Sequence, residues 1–402
     1  MTSASSRNAI PVTTLIALGI IGILGPFGTD MYLPALPQMA TDLGTNESSI
    51  RLTLSIYTLG MAVGQLIIGA LSDRYGRRRL MISGGLVVAI AALSASKAEN
   101  LTTLLLSCAV LGIGSAAGLV TGRAVIADKT TGKQATKYFS LLQMVVSLGP
   151  IIGPLAGAGL LVIGDWRIIF AGLSAFAVVG VVGAMMFVPE TLSTEARQSA
   201  HPFKVLSLMG EVLRHRQFLL FAATMWLGFG MMFAYISSSS FIFQTTLGVS
   251  SQVYATDFAV NGAGLVCASL LTARLAHRFA PERIILFGLI LQGLSMCSLI
   301  FLTSTNTVNF WSVAICLFLL TTSMGFVFGP STSLAIAPVR YASGTALAMI
   351  GSFQFVSAGI ASSLTAWVSP HPLVGFLIVG SIATAGAVAT ATAGYRLIHP
   401  RT

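Results

Sequence analysis

Charged residues are scarce in this sequence. Only 8% of its 402 residues are Asp, Glu, Lys or Arg, whereas 55% are hydrophobic. The mean hydropathy is +0.87. A soluble domain of this length could not hide so much apolar surface in one core. The composition therefore excludes a soluble globular protein and predicts a polytopic membrane protein.

Other features are also missing. The four cysteines, Cys108, Cys267, Cys297 and Cys316, all fall in apolar runs without metal-ligand spacing, which argues against a disulfide framework or a metal site. The absence of GxxxxGK[ST] excludes ATP hydrolysis by this chain, and the absence of HExxH and GxSxG argues against an enzyme. We expect no cofactor, and the net charge of +10 indicates membrane topology rather than a nucleic-acid partner.

Long apolar runs, by contrast, recur along the whole chain. A membrane span needs about 20 mainly apolar residues, and twelve runs meet this requirement. They lie at about 10–36, 50–71, 80–96, 101–126, 138–163, 167–188, 217–243, 253–276, 283–303, 309–334, 343–368 and 373–395. The sequence predicts an all-α protein with twelve transmembrane helices in contact with membrane lipid.

A polar segment at 189–216 divides these spans into two sets of six. We therefore predict an amino-terminal six-helix bundle at 1–188, a cytoplasmic linker at 189–216 and a carboxy-terminal six-helix bundle at 217–402. LSDRYGRRRL at 71–80 aligns without a gap with LAHRFAPERI at 275–284, and each follows an apolar span. Such internal repeats are typical of secondary transporters.

Basic residues predict the orientation. With both termini placed in the cytoplasm, only Arg51, Lys97 and Arg167 fall on the outer side, and Arg123 falls within a span. All other Lys and Arg residues, of 22 in total, then lie on the cytoplasmic side. This asymmetry follows the positive-inside rule.

The stretch GQLIIGALSDRYGRRR at 64–79 resembles the loop between the second and third spans of the major facilitator superfamily. The resemblance implies a conformational latch that holds the cytoplasmic ends of the two halves together in the outward-facing state. Its residues would be Gly69, Asp73, Arg74, Gly76, Arg77 and Arg78. We expect Gly64 and Gly69 to allow close helix packing and Gly76 to allow a tight turn. The alternative is a basic loop that only sets topology.

Further motifs resemble the twelve-span drug:proton antiporters of the bicyclomycin and chloramphenicol resistance type. They are DMYLPALPQMA at 30–40, LTLSIYTLGMAVGQ at 52–65, GPIIGP at 149–154, DWRIIF at 165–170 and PETL at 189–192. The resemblance implies a monomer that exports small, mostly apolar drugs across a bacterial-type inner membrane. Export would occur by proton antiport with alternating access. Two alternatives are a transporter of one metabolite, such as a nucleoside, sugar or siderophore, and a membrane sensor that does not transport.

The fifth span contains two glycine-proline pairs, Gly149-Pro150 and Gly153-Pro154. Proline frees a backbone carbonyl and glycine permits close packing, so the pairs predict a span that can bend. The family resemblance makes them a hinge. The alternative is an ordinary tight helix crossing.

The fourth span departs from the family pattern. Cys108 and Leu111 occupy the positions where the resembling family has an Arg and a Gln, and the Arg is the residue that the resemblance implicates in proton coupling. Arg123, nearer the cytoplasmic end of the span, is the remaining cation there and is a candidate for proton coupling. It could instead extend to the membrane interface, or pair with Asp128 or Asp73.

Asp30 is the one acidic residue that lies well within a predicted span. A carboxylate inside a membrane is costly and usually faces a cavity where it is used, so Asp30 is predicted to bind both protons and substrate. The alternative is a carboxylate that caps local backbone before Pro34.

The predicted substrate cavity combines polar and aromatic side chains from both halves. Its members are Asp30, Tyr32, Tyr57, Gln65, Trp226, Phe233, Tyr235, Asn261 and Gln354. Each of these side chains could alternatively face lipid or a neighbouring helix.

Overall fold

The computed structural model describes residues 10–130, 132–192 and 202–399, which form fifteen α-helices. The first eight are α1 Val12–Asp30, α2 Leu36–Asp42, α3 Glu47–Tyr75, α4 Arg77–Ser96, α5 Leu101–Lys129, α6 Gly132–Ser147, α7 Gly149–Leu160 and α8 Trp166–Phe187. The others are α9 Pro202–Arg214, α10 Arg216–Phe241, α11 Ser251–Leu275, α12 Pro281–Ser304, α13 Phe310–Ile336, α14 Ser343–Val368 and α15 Pro372–Ile398.

Eleven helical segments of the described chain are long and apolar enough to cross a membrane. The longest, Phe310–Val368, has 59 residues, about twice what one crossing needs. It contains α13 and α14, joined by the 3₁₀ segment Ala337–Ala342 with non-helical backbone at Val339. Counting these two helices separately gives the twelve predicted spans, so the prediction of an all-α polytopic protein is confirmed.

The chain forms two compact units. The first unit comprises Met1–Ala35 and Ile56–Pro202, and the second comprises Leu36–Ser55 and Phe203–Thr402. These bounds differ from the predicted bundles, because Leu36–Ser55 belongs by its contacts to the second unit. The predicted linker contains α9, and its residues 193–201 lie outside the described part of the chain.

The first unit is organised around α1, which contacts α5, α6, α7 and α8, while α4 packs on α5 and α8. In the second unit, α10 contacts α13, α14 and α15, and α12 packs on α13 and α15. The helix pairs α1–α5 and α1–α8 thus correspond to α10–α13 and α10–α15. This correspondence supports the internal repeat that was predicted from 71–80 and 275–284.

Residues of the Leu36–Ser55 segment pack within the second unit. Helix α2 contacts α10, and the guanidinium of Arg51 lies 5.8 Å from the centroid of the Phe241 ring. Arg51 is fully buried, and its Nε donates to the Glu47 carbonyl at 3.2 Å. Cation–π attraction between Arg51 and Phe241 contributes to holding this segment in place.

Candidate functional site

Asp30 is the last residue of α1 and is only 3% exposed. The ion pairs within the described ranges join Arg77 to Asp73 and Asp128, and Arg167 to Asp165, so Asp30 has no cationic partner there. A buried carboxylate without a cation is costly to ionise. This arrangement suits a group that takes up a proton or binds a substrate.

Tyr57 of α3 lies beside this end of α1. Its hydroxyl donates to the Gly25 carbonyl at 2.7 Å, five residues before Asp30, and the ring is fully buried. A Cβ atom placed on Gly28, two residues before Asp30, would lie 2.5 Å from the Tyr57 hydroxyl oxygen. The structure therefore brings two of the predicted site residues together in the first unit.

The glycines of α7 pack directly on α1 at this position. A Cβ atom placed on Gly153 would lie 3.1 Å from the Asp30 Cβ, and one on Gly149 would lie 2.5 Å from the Pro26 Cβ. The fifth span is interrupted at Leu148, between α6 and α7, where the predicted bend was expected. The span that carries both glycine-proline pairs thus contacts the buried carboxylate.

Three further predicted residues of the first unit have other surroundings. Tyr32 is buried and stacks on Phe170, with ring centroids 5.2 Å apart, so it packs as a core residue. Gln65 is half-buried on α3. Arg123 is exposed, and its Nη2 lies 3.5 Å from Gln143 Oε1. The alternative pairing of Arg123 with Asp128 or Asp73 is not formed in the described structure, where Arg77 pairs with both carboxylates.

A second polar cluster lies in the second unit. The Asn261 amide donates to the Tyr235 hydroxyl at 3.0 Å and to Asp257 Oδ2 at 2.9 Å, and Thr321 approaches Asn261 Oδ1 at 3.4 Å. Tyr235 stacks on Phe258 at 5.9 Å. Asn261 and Tyr235 were predicted, whereas Asp257 was not. The spacing of four residues between Asp257 and Asn261, which places them on one helix face, was the available signal.

Aromatic side chains form a continuous surface in the second unit. Phe229 contacts Phe233, Phe328 and Phe355 at centroid distances of 5.0, 5.9 and 5.5 Å. The sequence prediction contained Phe233 but missed the central Phe229, although MWLGFGMMFAY at 225–235 contains both. Ring packing of this kind can accommodate apolar ligands of varied shape.

Two predicted residues border this surface. Trp226 packs on Phe353 at 5.1 Å and donates its indole N–H to the Ile350 carbonyl at 3.2 Å. Gln354, between Phe353 and Phe355 in sequence, is half-buried on α14.

The charged loop after the second span forms a network centred on Arg77. Its Nη1 donates to Asp73 Oδ1 at 2.5 Å, and its Nε donates to Asp128 Oδ2 at 3.2 Å. The Thr191 hydroxyl donates to the same Asp128 oxygen at 2.7 Å. We call Asp73, Arg77, Asp128, Glu190 and Thr191 the Arg77 network. All five residues belong to the first unit, so the role of the loop as a latch stays a prediction.

Gly76 makes the turn that positions this network. It has φ of 99°, a backbone conformation that side-chain-bearing residues rarely adopt, and a Cβ atom there would collide with the Glu190 carboxylate. Glu190 Oε1 accepts hydrogen bonds from the backbone N–H groups of Arg77, Thr191 and Leu192 at 3.0, 3.0 and 3.1 Å. The PETL and DRYGRRR motifs, predicted separately, therefore form one structural unit.

The remaining loop residues differ in their surroundings. A Cβ atom on Gly64 would lie 2.8 Å from the Ile113 carbonyl oxygen, as expected for close packing, but no described atom lies within 4 Å of such a position on Gly69. The expectation of close packing at Gly69 is therefore wrong. The Arg74 guanidinium lies 5.6 Å from the Tyr75 ring centroid, and Arg78 Nη2 donates to the Met185 carbonyl at 2.5 Å.

We expect Asp73→Asn to leave membrane insertion and stability nearly unchanged but to slow export. The Asp73 side chain is 49% exposed, and exposed ion pairs contribute only about 0–1 kcal/mol to stability. A transport defect would therefore report a shift between conformations. Asp165→Asn is the matched control, because Asp165 is 47% exposed and also pairs with an arginine. Transport assays of both variants in membrane vesicles provide the test, and normal export by Asp73→Asn would rule out the latch.

Comparison with known proteins identifies relatives over most of the chain. The family model described as Major Facilitator Superfamily matches residues 18–362. "Uncharacterized MFS-type transporter YdgK" of Bacillus subtilis is 30% identical over 86% of this chain and 87% of its own length. "Bicyclomycin resistance protein homolog" of Haemophilus influenzae is 30% identical over 88% of each chain. "Multidrug resistance protein MdtL" of Salmonella heidelberg is 27% identical over 90% of each chain.

Solved transporter structures share the fold. A crystal structure of a D-xylose-proton symporter matches with a TM-score of 0.75 at 16% identity, covering 94% of this chain and 96% of that one. A bacterial homolog of the human lysosomal transporter Spinster matches with a TM-score of 0.75 at 13% identity, covering 95% of each chain. At these identities the likeness concerns the fold alone.

Proposed function

The chain belongs to the major facilitator superfamily, and from this premise we propose that it exports small, mostly apolar compounds, drugs among them, by proton antiport. The membership makes it a multi-pass membrane transporter and not an enzyme. Two of its relatives carry names that refer to bicyclomycin resistance and multidrug resistance. These names favour export of drugs over uptake of one metabolite.

One observation carries the proposal of proton coupling: Asp30 is buried without a cationic partner in the described structure and lies against the broken fifth span. Cys108 occupies the place where the resembling family has an arginine, and it is 1% exposed. A carboxylate in such surroundings can bind a proton in one state and a cationic or hydrogen-bond-donating ligand in another. The proton gradient supplies the free energy, so the proposed cycle needs no cofactor.

The side chains of the second unit support a proposal for the class of substrate. The phenylalanine rings packed around Phe229 offer apolar contact. Asn261 offers an amide N–H donor and an amide carbonyl, and its neighbour Asp257 offers a carboxylate. Sites of this composition bind mostly apolar compounds that carry one or two polar groups. We propose that the transported compounds have this character.

We place the protein in a bacterial-type inner membrane with both termini in the cytoplasm, functional as a monomer. The distribution of Lys and Arg residues supports this orientation. Arg7 and Arg401, near the two termini, contribute to that distribution but lie outside the described residues.

Asn261→Leu is expected to weaken drug binding while preserving proton coupling. We propose that a polar group of the drug bonds to the Asn261 amide, which in this structure joins Tyr235 to Asp257. A drug group left without this buried partner costs about 1–3 kcal/mol, or about 5-fold to 150-fold in affinity. Gln292→Leu is the matched control, because it removes another buried amide of the second unit, which donates to Thr384. Drug titrations of purified protein measure both variants. Equal affinities for wild type and Asn261→Leu would exclude Asn261 from the binding site.

The function as a whole is tested by drug susceptibility of bacterial cells that lack their own efflux pumps. Cells that produce this protein should tolerate higher concentrations of some amphipathic drugs than cells with an empty vector. Dissipating the proton gradient should abolish drug efflux from these cells. Unchanged susceptibility to a broad drug panel, together with tight binding of one metabolite, would favour a specific metabolite transporter instead.

A further inference from the structure

A cleft of about 580 Å³ lies at the end of the first unit that carries the Arg77 network. Its walls come from three helix ends. The lining includes Pro11 and Thr14 at the start of α1, Lys129 at the end of α5, and Met186 and Phe187 at the end of α8. Arg78, from the first turn of α4, completes the lining.

The charged side chains that line this cleft are both basic, Arg78 and Lys129. Two acidic residues, Asp128 and Glu190, are adjacent in sequence to lining residues, and each accepts hydrogen bonds from groups outside the lining. Asp128 accepts from Arg77 and Thr191, and Glu190 accepts from three backbone N–H groups. Among the residues that the structure describes, the lining of the cleft thus contains two cations and no acidic side chain.

Arg78 is held in a defined position and retains an unused donor. Its Nη2 donates to the Met185 carbonyl near the end of α8, while its Nε is buried and has no hydrogen-bond partner within the described structure. A buried donor without a partner costs free energy, which an acceptor in the cleft would recover.

The start of α1 adds a partial positive charge that favours binding of an anion. Pro11 is the N-cap residue, and no side chain in the described part of the protein caps the helix. Backbone N–H groups at a helix start attract negative charge. The Thr14 hydroxyl donates to the Phe187 carbonyl at 2.7 Å and thereby fixes the start of α1 beside the end of α8.

Apolar side chains continue the cleft to the surface of the protein. Met186 and Phe187 line it and remain 68% and 42% exposed. A cleft that joins two cations to exposed apolar side chains matches a molecule with a phosphate at one end and acyl chains at the other.

We propose that this cleft binds a phosphate group, supplied by an anionic phospholipid of the surrounding membrane. The phosphate contacts Arg78 and Lys129, and the acyl chains lie along Met186 and Phe187. Basic clefts at the cytoplasmic ends of transmembrane helices suit such head groups. Each cation near the membrane surface is worth about fivefold in affinity for an anionic lipid.

The test measures lipid binding to full-length purified protein by native mass spectrometry and by the shift in Tm on adding lipid. The probes are phosphatidylglycerol, phosphatidylethanolamine and inorganic phosphate. The variants are Lys129→Gln and Arg78→Gln. Arg79→Gln is the matched control, because Arg79 is an exposed cation of the same loop that does not line the cleft.

We expect phosphatidylglycerol to bind more tightly than phosphatidylethanolamine. Lys129→Gln and Arg78→Gln should each weaken phosphatidylglycerol binding about fivefold, and Arg79→Gln should leave it unchanged. Competition by inorganic phosphate would support recognition of the phosphate group, and tighter binding of phosphate than of lipid at the same residues would assign the site to a soluble anion.

Equal losses in all three variants would overturn the proposal, because they would show a diffuse charge effect. Equal binding of both lipids without dependence on Lys129 would also overturn it. Lys129 is exposed, so its substitution is not expected to disturb folding.

Discussion

We expect Asp30→Asn to abolish concentrative drug export but to leave downhill exchange of drug across the membrane intact. The substitution preserves the size of a side chain that is 3% exposed, so the packing of α1 is maintained. An amide cannot take up or release a proton at physiological pH. Transport that depends on the proton gradient is therefore lost, whereas binding and alternation between states remain possible.

The proposed cycle gives this prediction its physical basis. Asp30 protonated from the outer side releases substrate, and Asp30 that has lost its proton to the cytoplasm binds substrate again. Each net charge moved across the membrane is worth about 2.3 kcal/mol per 100 mV, which sustains a drug gradient of more than about tenfold. The Asn variant should sustain no gradient, and its exchange rate should not vary with pH.

Drug accumulation in inverted membrane vesicles, with and without an imposed proton gradient, measures this effect. Asp30→Glu retains an acid and should recover part of the concentrative transport. Asp165→Asn makes the same chemical change at a side chain that is 47% exposed and should transport normally. Concentrative transport by Asp30→Asn at the wild-type rate would exclude Asp30 as the coupling residue.

We expect Gly153→Leu to stall the transport cycle while leaving drug binding partly intact. A Cβ atom on Gly153 would lie 3.1 Å from the Asp30 Cβ and 3.5 Å from the Met31 backbone nitrogen. The larger leucine side chain must displace α7 from α1, at a cost of about 1–3 kcal/mol. If α7 moves against α1 during alternation, this cost alters the balance between conformations and slows turnover.

Gly159→Leu is the matched control for this variant. Gly159 lies on the same helix, and no described atom lies within 4 Å of a Cβ atom placed there. Turnover in proteoliposomes and drug binding by purified protein should separate the two glycines, with the loss of turnover confined to Gly153→Leu. Gly153→Ala should show a smaller loss, because the methyl group adds less volume. Equal turnover of Gly153→Leu and wild type would mean that the α1–α7 contact does not move.

The spans and the loop turn could be predicted because they depend on local chemistry. A run of about 20 apolar residues identifies a membrane helix by its solvation alone. The glycine of DRYGRRR predicted a tight turn, and Gly76 indeed has φ of 99°. Helices α6 and α7 meet at Leu148, next to Gly149 and Pro150, whereas the role of these residues as a hinge stays a prediction.

Contacts between distant segments were less accessible to sequence reasoning. Glu190 lies 113 positions after Arg77, to whose backbone N–H it is hydrogen-bonded, and no local pattern links the two residues. Pairing of Arg123 with Asp128 was one alternative from the sequence, and in the structure Arg77 pairs with that carboxylate. The open space beside Gly69 could not be inferred either, since a glycine in a helix has the same sequence signature whether or not another helix packs against it.

Drug-induced proton release from proteoliposomes is the most direct measurement of proton coupling at Asp30. Wild-type protein, reconstituted with a pH-sensitive dye and no imposed gradient, should move protons when drug is added, to a degree that depends on pH. Asp30→Asn should bind the same drug but move no protons at any pH. Drug-dependent proton movement by Asp30→Asn at the wild-type level would contradict the account and would direct attention to Asp257, Arg123 and Asp128.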